Sequence, residues 1–467
     1  MLLGGGYRPE ASQVQIELNV RWIQQLLAEM KPGVRVETFF AAGDGPSSLD
    51  VIESRAGTST LSTPLARLFG ALERSTEVYF HNRVPGLSGS LEKGPLIERL
   101  SALFSAAGPG DQILFLFNGH GLGGPAGPEH NTLRLWGDEE ISVIELGALL
   151  DRAPPSTRVR MFFPQCFSGG FTRLIQPKGA RSREVVAADR CGFYSQDELL
   201  EAEGCTPSVE VDDFRDYSTY FFSAISGRTR SGQPLAFDPD RDRDGRVTLL
   251  EAHYYALLAA DSADLPRSTS EAYLERWQPW FMRAEATSTL PSSVSAGAIA
   301  SLNAYVELAE TLGERLTGQR GRAALERAFE LRSVAARARE RIAKERAELN
   351  AVVEAKLRPI RLATEARYPA AFRPYTQAFL AFYRSPELEL ASAFVAAAPG
   401  YGELVVAQDR LRALQLEDLA ERRRGAGFDR YFRLRRLAQI AGQFQRLASA
   451  EERKTMERLL RCEDSPL

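Results

Sequence analysis

Cysteine and histidine are scarce, with four of each in 467 residues. Cys166, Cys191, Cys205 and Cys462 are too few for a disulfide framework, and no Cys-x-x-Cys pair points to structural zinc. Four free thiols and a reducing, cytoplasmic setting are therefore expected. No apolar run approaches the roughly 20 residues of a membrane helix. Met1-Leu2-Leu3 runs straight into Gly4-Gly5-Gly6, too short for the apolar core of a signal peptide, so no membrane partner is expected. A P-loop and a Gly-x-Ser-x-Gly elbow are both absent. Gly4-Gly5-Gly6-Tyr7-Arg8-Pro9 lacks the third glycine of a dinucleotide fingerprint. Charge of one sign is missing as well: the net charge is -3, which excludes a global pull toward nucleic acid. Residues 301–467 do carry an excess of about seven positive charges, but their Arg residues alternate with Glu at helical spacing and read as a solvated helix face.

What is present is an ordinary core-forming composition, 44% hydrophobic and 25% charged. The first 230 residues alternate short apolar runs with amphipathic stretches, the rhythm of an α/β fold. Ile16, Val20, Ile23, Leu27 and Met30 fall at helical spacing. Residues 34–40 read as a strand, a short helix is expected near Leu65–Leu72, and another at about 93–106. Gln112–Phe117 and Arg158–Phe163 are apolar enough for strands buried on both faces, as in a parallel sheet under helices. Ser142 with Glu145 is a capping box, Gly192–Ser195 is a further strand, and Tyr217–Ser226 is helical. A Ser/Thr/Pro-rich linker at 286–296 then separates a region rich in Ala, Leu, Arg and Glu. The expected organisation is an α/β domain over 1–285 and an all-α domain over 297–467, for regulation or for binding a partner protein.

Two apolar strands each end in a reactive residue followed by glycine: Phe117-Asn118-Gly119-His120-Gly121 and Phe163-Pro164-Gln165-Cys166-Phe167-Ser168-Gly169-Gly170. The carboxyl ends of strands in an open α/β sheet line the ligand crevice, so the two side chains can meet there. A thiol attacks as thiolate, and an adjacent imidazole takes and returns its proton. The nearby glycines expose main-chain N–H groups. Those of Gly121 and Cys166 would hold the oxyanion of a tetrahedral intermediate. The His-to-Cys separation is close to the roughly 50 residues of the caspase pattern, and the intervening helix supplies the crossover between parallel strands. Asp216, Asn118 or a backbone carbonyl is expected to orient the imidazole.

These segments resemble the His-Gly and Cys-Ser-Gly motifs of bacterial caspase-like proteins, in the group that includes caspases, metacaspases and legumain. The resemblance covers about residues 1–285. It implies a caspase-like, mostly parallel sheet flanked by helices and a Cys/His-dyad endopeptidase acting on protein or peptide substrates. It also implies a substrate pocket near the strand after the cysteine, which makes Gln165, Ser195, Asp197 and Glu198 candidates; an acidic wall there would favour Arg or Lys at the cleavage site. The chain departs from the family at Pro164, where relatives carry an acidic residue or Gln, so the preferred cleavage residue does not transfer. The polar, basic stretch Gln176–Glu184 lies where caspases carry a processing linker, and cleavage near Arg181 or Arg183 is expected to mature the enzyme. The rival reading is an inactive scaffold or binding protein on the same fold. A third makes the helical region the functional centre, with the peptidase as its effector arm in bacterial signalling or defence.

Residues 240–251, Asp-Arg-Asp-Arg-Asp-Gly-Arg-Val-Thr-Leu-Leu-Glu, follow the 12-residue calcium loop of EF-hands. Asp240, Asp242 and Asp244 occupy positions 1, 3 and 5, and Gly245 makes the turn. The Arg246 carbonyl stands at position 7, Thr248 at position 9 and Glu251 at position 12. Ca2+ is the expected ion. The three arginines in the loop should weaken its binding.

Overall fold

The computed structural model describes every residue except 46–47, 55–62, 70–76, 205–209, 211–212, 280, 282–289, 291–298 and 374–375. Cys205 and nearly all of the expected linker 286–296 lie outside the described residues.

Along the first 280 residues, β1 (Leu2–Gly5) leads to α1 (Val14–Met30), β2 (Thr38–Phe40), β3 (Leu87–Gly89) and α2 (Lys93–Ala106). Next come β4 (Gln112–Gly119), α3 (Val143–Leu150), β5 (Arg158–Phe163) and β6 (Asp189–Tyr194). The series closes with α4 (Tyr217–Ser226), α5 (Leu249–Ala259), β7 (Arg267–Ser268) and α6 (Thr269–Trp277). The seven strands form one sheet in the order β7-β6-β5-β4-β1-β2-β3, parallel except for the short edge strand β7.

Side-chain alternation explains the layers. Leu2, Leu116, Phe162 and Phe193 face one way and pack with α1, α4 and α5. Their neighbours Leu3, Phe115, Phe117, Met161, Phe163 and Tyr194 face the other way and pack with α2 and α3. Both faces are thus covered, as the apolar runs demand. The chain winds outward from β1 through β2 to β3, then returns to β4 on the other side of β1. That reversal makes the carboxyl ends of β1 and β4 the topological switch point, where open α/β sheets place their ligand sites.

The rest of the chain is helical: α7 (Ala304–Thr317), α8 (Gly321–Arg367), α9 (Tyr401–Leu447) and α10 (Ala450–Glu463), with Gln377–Tyr383 and Glu387–Ala396 between α8 and α9. Among the described residues no single helix is long and apolar enough to cross a membrane.

The chain clusters into two compact units, one comprising 1–52, 79–332 and 423–467, the other 53–78 and 333–422. In the first, Tyr305, Leu308, Tyr431, Leu437 and Phe444 join the same core as Phe162 and Phe193. Two sequence expectations are corrected, the four free cysteines and the length of the strand over 34–40. The cysteines are not all free. Cys191 on β6 and Cys462 on α10 form a disulfide across 271 residues, so cysteine usage no longer argues for a reducing compartment. The strand expected over 34–40 is also shorter, with only Thr38–Phe40 pairing to β1.

Candidate active site

His120 follows the last residue of β4, and Cys166 stands three residues beyond β5, the neighbouring parallel strand. The two turns touch at Gly121. A methyl group there would sit 2.1 Å from the Cys166 carbonyl oxygen and 2.8 Å from Cγ of Gln165, so only glycine permits the approach. Phe167, directly after the thiol, adopts φ 57°, a left-handed backbone that a bulky residue rarely takes. The chain then turns into a tight helical stretch, Ser168–Ile175.

The imidazole is oriented from the turn between β1 and α1. Its Nε2 lies 2.6 Å from the Ala11 carbonyl oxygen and 3.0 Å from Oε1 of Gln13. Both partners are acceptors as assigned, so Nε2 carries the hydrogen and Nδ1 is left as the base of the neutral ring. Tyr7 packs edge-on against the ring at 5.6 Å. Burial lowers the His120 pKa, the Ala11 carbonyl opposes that shift, and the charge of Arg134 adds to it. Of the three orienting groups considered from sequence, the backbone carbonyl is the one in place. Asp216 accepts from Gln15 at 3.1 Å, Asn19 at 3.3 Å and Thr219 at 2.8 Å, while Asn118 bonds Asn19 and Ser218.

The thiol lies under the segment that follows β6. The Cys166 sulfur is 3.9 Å from the Ala202 carbonyl oxygen, and the Phe167 amide donates to the Leu200 carbonyl at 2.8 Å. Burial, with smaller contributions from Glu201 and Asp264, pushes the Cys166 thiol up to about 11. Asn131 ties the same segment down. Its Nδ2 donates to the Phe167 carbonyl at 2.9 Å and the Glu198 carbonyl at 2.8 Å, and its Oδ1 accepts from the Gly124 amide. Further along, the Glu203 amide donates to Asp264, while the Glu203 carboxylate accepts from the Ala263 amide at 2.7 Å and from Arg423 on α9.

The expected pocket residues divide. Gln165 is buried beside Gly121, and neither atom of its side-chain amide has a hydrogen-bond partner among the described residues. Ser195 is buried and donates to the Gln165 carbonyl at 3.3 Å, which fastens β6 to the cysteine turn. Asp197 pairs with Arg267, and Glu198 lies 3.6 Å from Arg173. Each of the two expected acidic residues therefore has an arginine beside it. Ala11, Gln13, Asn131 and residues 199–203 were not singled out from sequence. Asn131 stands next to His130, but nothing local marks an asparagine that bonds residues 36 and 67 positions away.

No protein-family model, curated protein or solved structure matches the chain. Its own residues carry the functional reading.

The loop 240–251 brings the side-chain oxygens of Asp240, Asp242 and Asp244 within 4.8 Å of one another. Gly245 supplies the left-handed turn at φ 84°. Asp240 Oδ1 is buried without a hydrogen-bond partner among the described residues, which suits a cation ligand. Glu251 is not part of that cluster. Its carboxylate accepts from the Arg241 and Asp242 amides and from the amide and hydroxyl of Thr248, so it closes the loop and caps α5. Arg246 is exposed, and its amide donates to Asp244. The described residues directly before the loop form no helix, so this is a loop with an exiting helix rather than a full helix–loop–helix.

Proposed function

We propose that this chain is a cysteine endopeptidase of caspase-like fold, held in a closed form. The observation that carries the reading is the contact of the His120-Gly121 and Gln165-Cys166 turns at the ends of adjacent parallel strands. In the proposed reaction the Cys166 sulfur attacks the scissile carbonyl after giving its proton to Nδ1 of His120. His120 then returns a proton to the leaving amine, and the amides of Gly121 and Cys166 hold the oxyanion. The Ala11 carbonyl keeps the ring in the tautomer this requires.

The closed form accounts for the covered thiol. The half-buried Cys166 thiol, near pKa 11, is almost wholly protonated at neutral pH, and the segment 197–203 bonds to its turn through Leu200 and Ala202, so a shift of that segment is proposed to precede attack. Ca2+ at Asp240, Asp242 and Asp244, with the Arg246 carbonyl, Thr248 and Glu251 in secondary places, is proposed as a structural or modulating ion. Cleavage near Arg181 or Arg183 is proposed as a maturation step. The helical regions are proposed to regulate or to recruit a protein partner, as an effector arm in bacterial signalling or defence would require.

The test is a fluorogenic peptide library with wild type and Cys166→Ala, with and without Ca2+, alongside intact-mass analysis. Turnover by wild type alone supports the peptidase; two uncut chains remove the maturation step. The raised thiol favours a second reading, an inactive scaffold on the same fold. Absence of iodoacetamide labelling at Cys166 under every condition would select it.

A further inference from the structure

A concave site lies away from the dyad, within the sheet-bearing unit. It is a cleft of about 1010 Å³, near the upper end of small-molecule sites. Four arginines line it: Arg173 from the turn after Cys166, Arg181 and Arg183 from the following loop, and Arg276 from α6. Its aromatic wall is Tyr273, Trp277 and Phe281. Among the described residues Glu452 is the single carboxylate in the lining, and it is committed to Ser449 at the start of α10 and to the Trp277 side chain.

The arginines have donors to offer. Arg181 and Arg183 make no hydrogen bond or ion pair among the described residues, and both are exposed. Arg173 has a buried Nε without a partner and meets Glu198 only at 3.6 Å. Arg276 donates to the hydroxyl and carbonyl oxygens of Thr172, both neutral acceptors. Four guanidinium groups around one space repel each other until an anion enters, and their planar forks match phosphate oxygens. Trp277 is steadied by an edge contact with Phe444 at 4.9 Å. An indole and a phenol beside guanidinium groups suit a flat ring attached to the phosphates.

We infer that this cleft is a binding site for a nucleotide, with phosphates on Arg173, Arg181, Arg183 and Arg276 and the base against Tyr273 and Trp277. Arg173 is also the partner of Glu198 in the segment over Cys166, so a phosphate that takes Arg173 loosens that segment. This consequence rests on the closed form proposed above; the site itself does not.

The experiment titrates the full-length chain with a fluorescent methylanthraniloyl-ATP and with inorganic tripolyphosphate, and follows iodoacetamide labelling of Cys166 alongside. Saturable 1:1 binding is expected. It should weaken at least about tenfold in the exposed double variant Arg181→Ala/Arg183→Ala, whose melting curve should match wild type. Trp277→Phe keeps an aromatic ring against Phe444; it should weaken the ATP probe several-fold and leave tripolyphosphate unchanged. No saturable binding, or undiminished binding by the double variant, overturns the site. Equal affinity for both probes, unaffected by Trp277→Phe, overturns the nucleotide assignment. Binding without faster labelling of Cys166 overturns the link to the covering segment alone.

Discussion

At the scale of single residues, the site depends on one missing side chain. Gly121→Ala places a methyl group inside the Cys166 carbonyl, and backbone on both sides must move. We expect the variant to lose peptidase turnover to the level of Cys166→Ala and to lose about 1–3 kcal/mol of stability, as overpacked positions do. Peptide hydrolysis and urea unfolding read the two effects. Glu463 is a second residue whose behaviour follows from its surroundings. It is buried against Ser268 and Ser270, and burial followed by the charge of Glu271 raises its pKa to about 8. A carboxyl raised in the folded state contributes stability that is complete below its unfolded value, near 4.5, and is lost as pH rises through about 8. The melting temperature of wild type should therefore fall between pH 6 and pH 9, and that of Glu463→Gln should fall less. Equal decreases in the two proteins would remove Glu463 as the cause.

At the scale of elements, segment 197–203 separates what a sequence reveals from what it hides. The capping box at Ser142 was legible because a cap joins residues three apart. The strands carrying His120 and Cys166 were legible because apolar runs bounded by glycine are also local. The covering segment is polar and irregular, and its partners stand at 131, 167, 264 and 423. Glu203 is its outer anchor. Glu203→Ala removes the acceptor for Arg423 and the Ala263 amide, and we expect iodoacetamide to label Cys166 several times faster as a result. Mass spectrometry of the labelled peptide measures this, and an unchanged rate would mean that the segment is held without Glu203.

At the scale of the whole molecule, the helical region is not an appendage. Residues 300–332 and 423–467 share the core on one face of the sheet, and the Cys191–Cys462 disulfide fastens α10 to β6. A chain ending at 296 exposes that core, so we expect it to be insoluble or unfolded by circular dichroism rather than a free peptidase. Cys462→Ser should lower stability by about 2–5 kcal/mol in chemical denaturation, in line with the loss of a disulfide closing a long loop. The same variant with and without reductant should behave alike, whereas wild type should weaken on reduction.

The sequence by itself determined the α/β class, the strands that present His120 and Cys166, the capped helices and the aspartates of the loop 240–251. All of these rest on patterns within a few residues, where hydrophobic period, glycine and capping chemistry act directly. Tertiary structure decided the rest. It selected the Ala11 carbonyl as the imidazole's partner, set Arg267 and Arg173 against the expected acidic wall, and paired two cysteines 271 residues apart. It also divided the helical chain between two compact units. Each of those outcomes depends on which distant surfaces bury one another, and no local pattern records that.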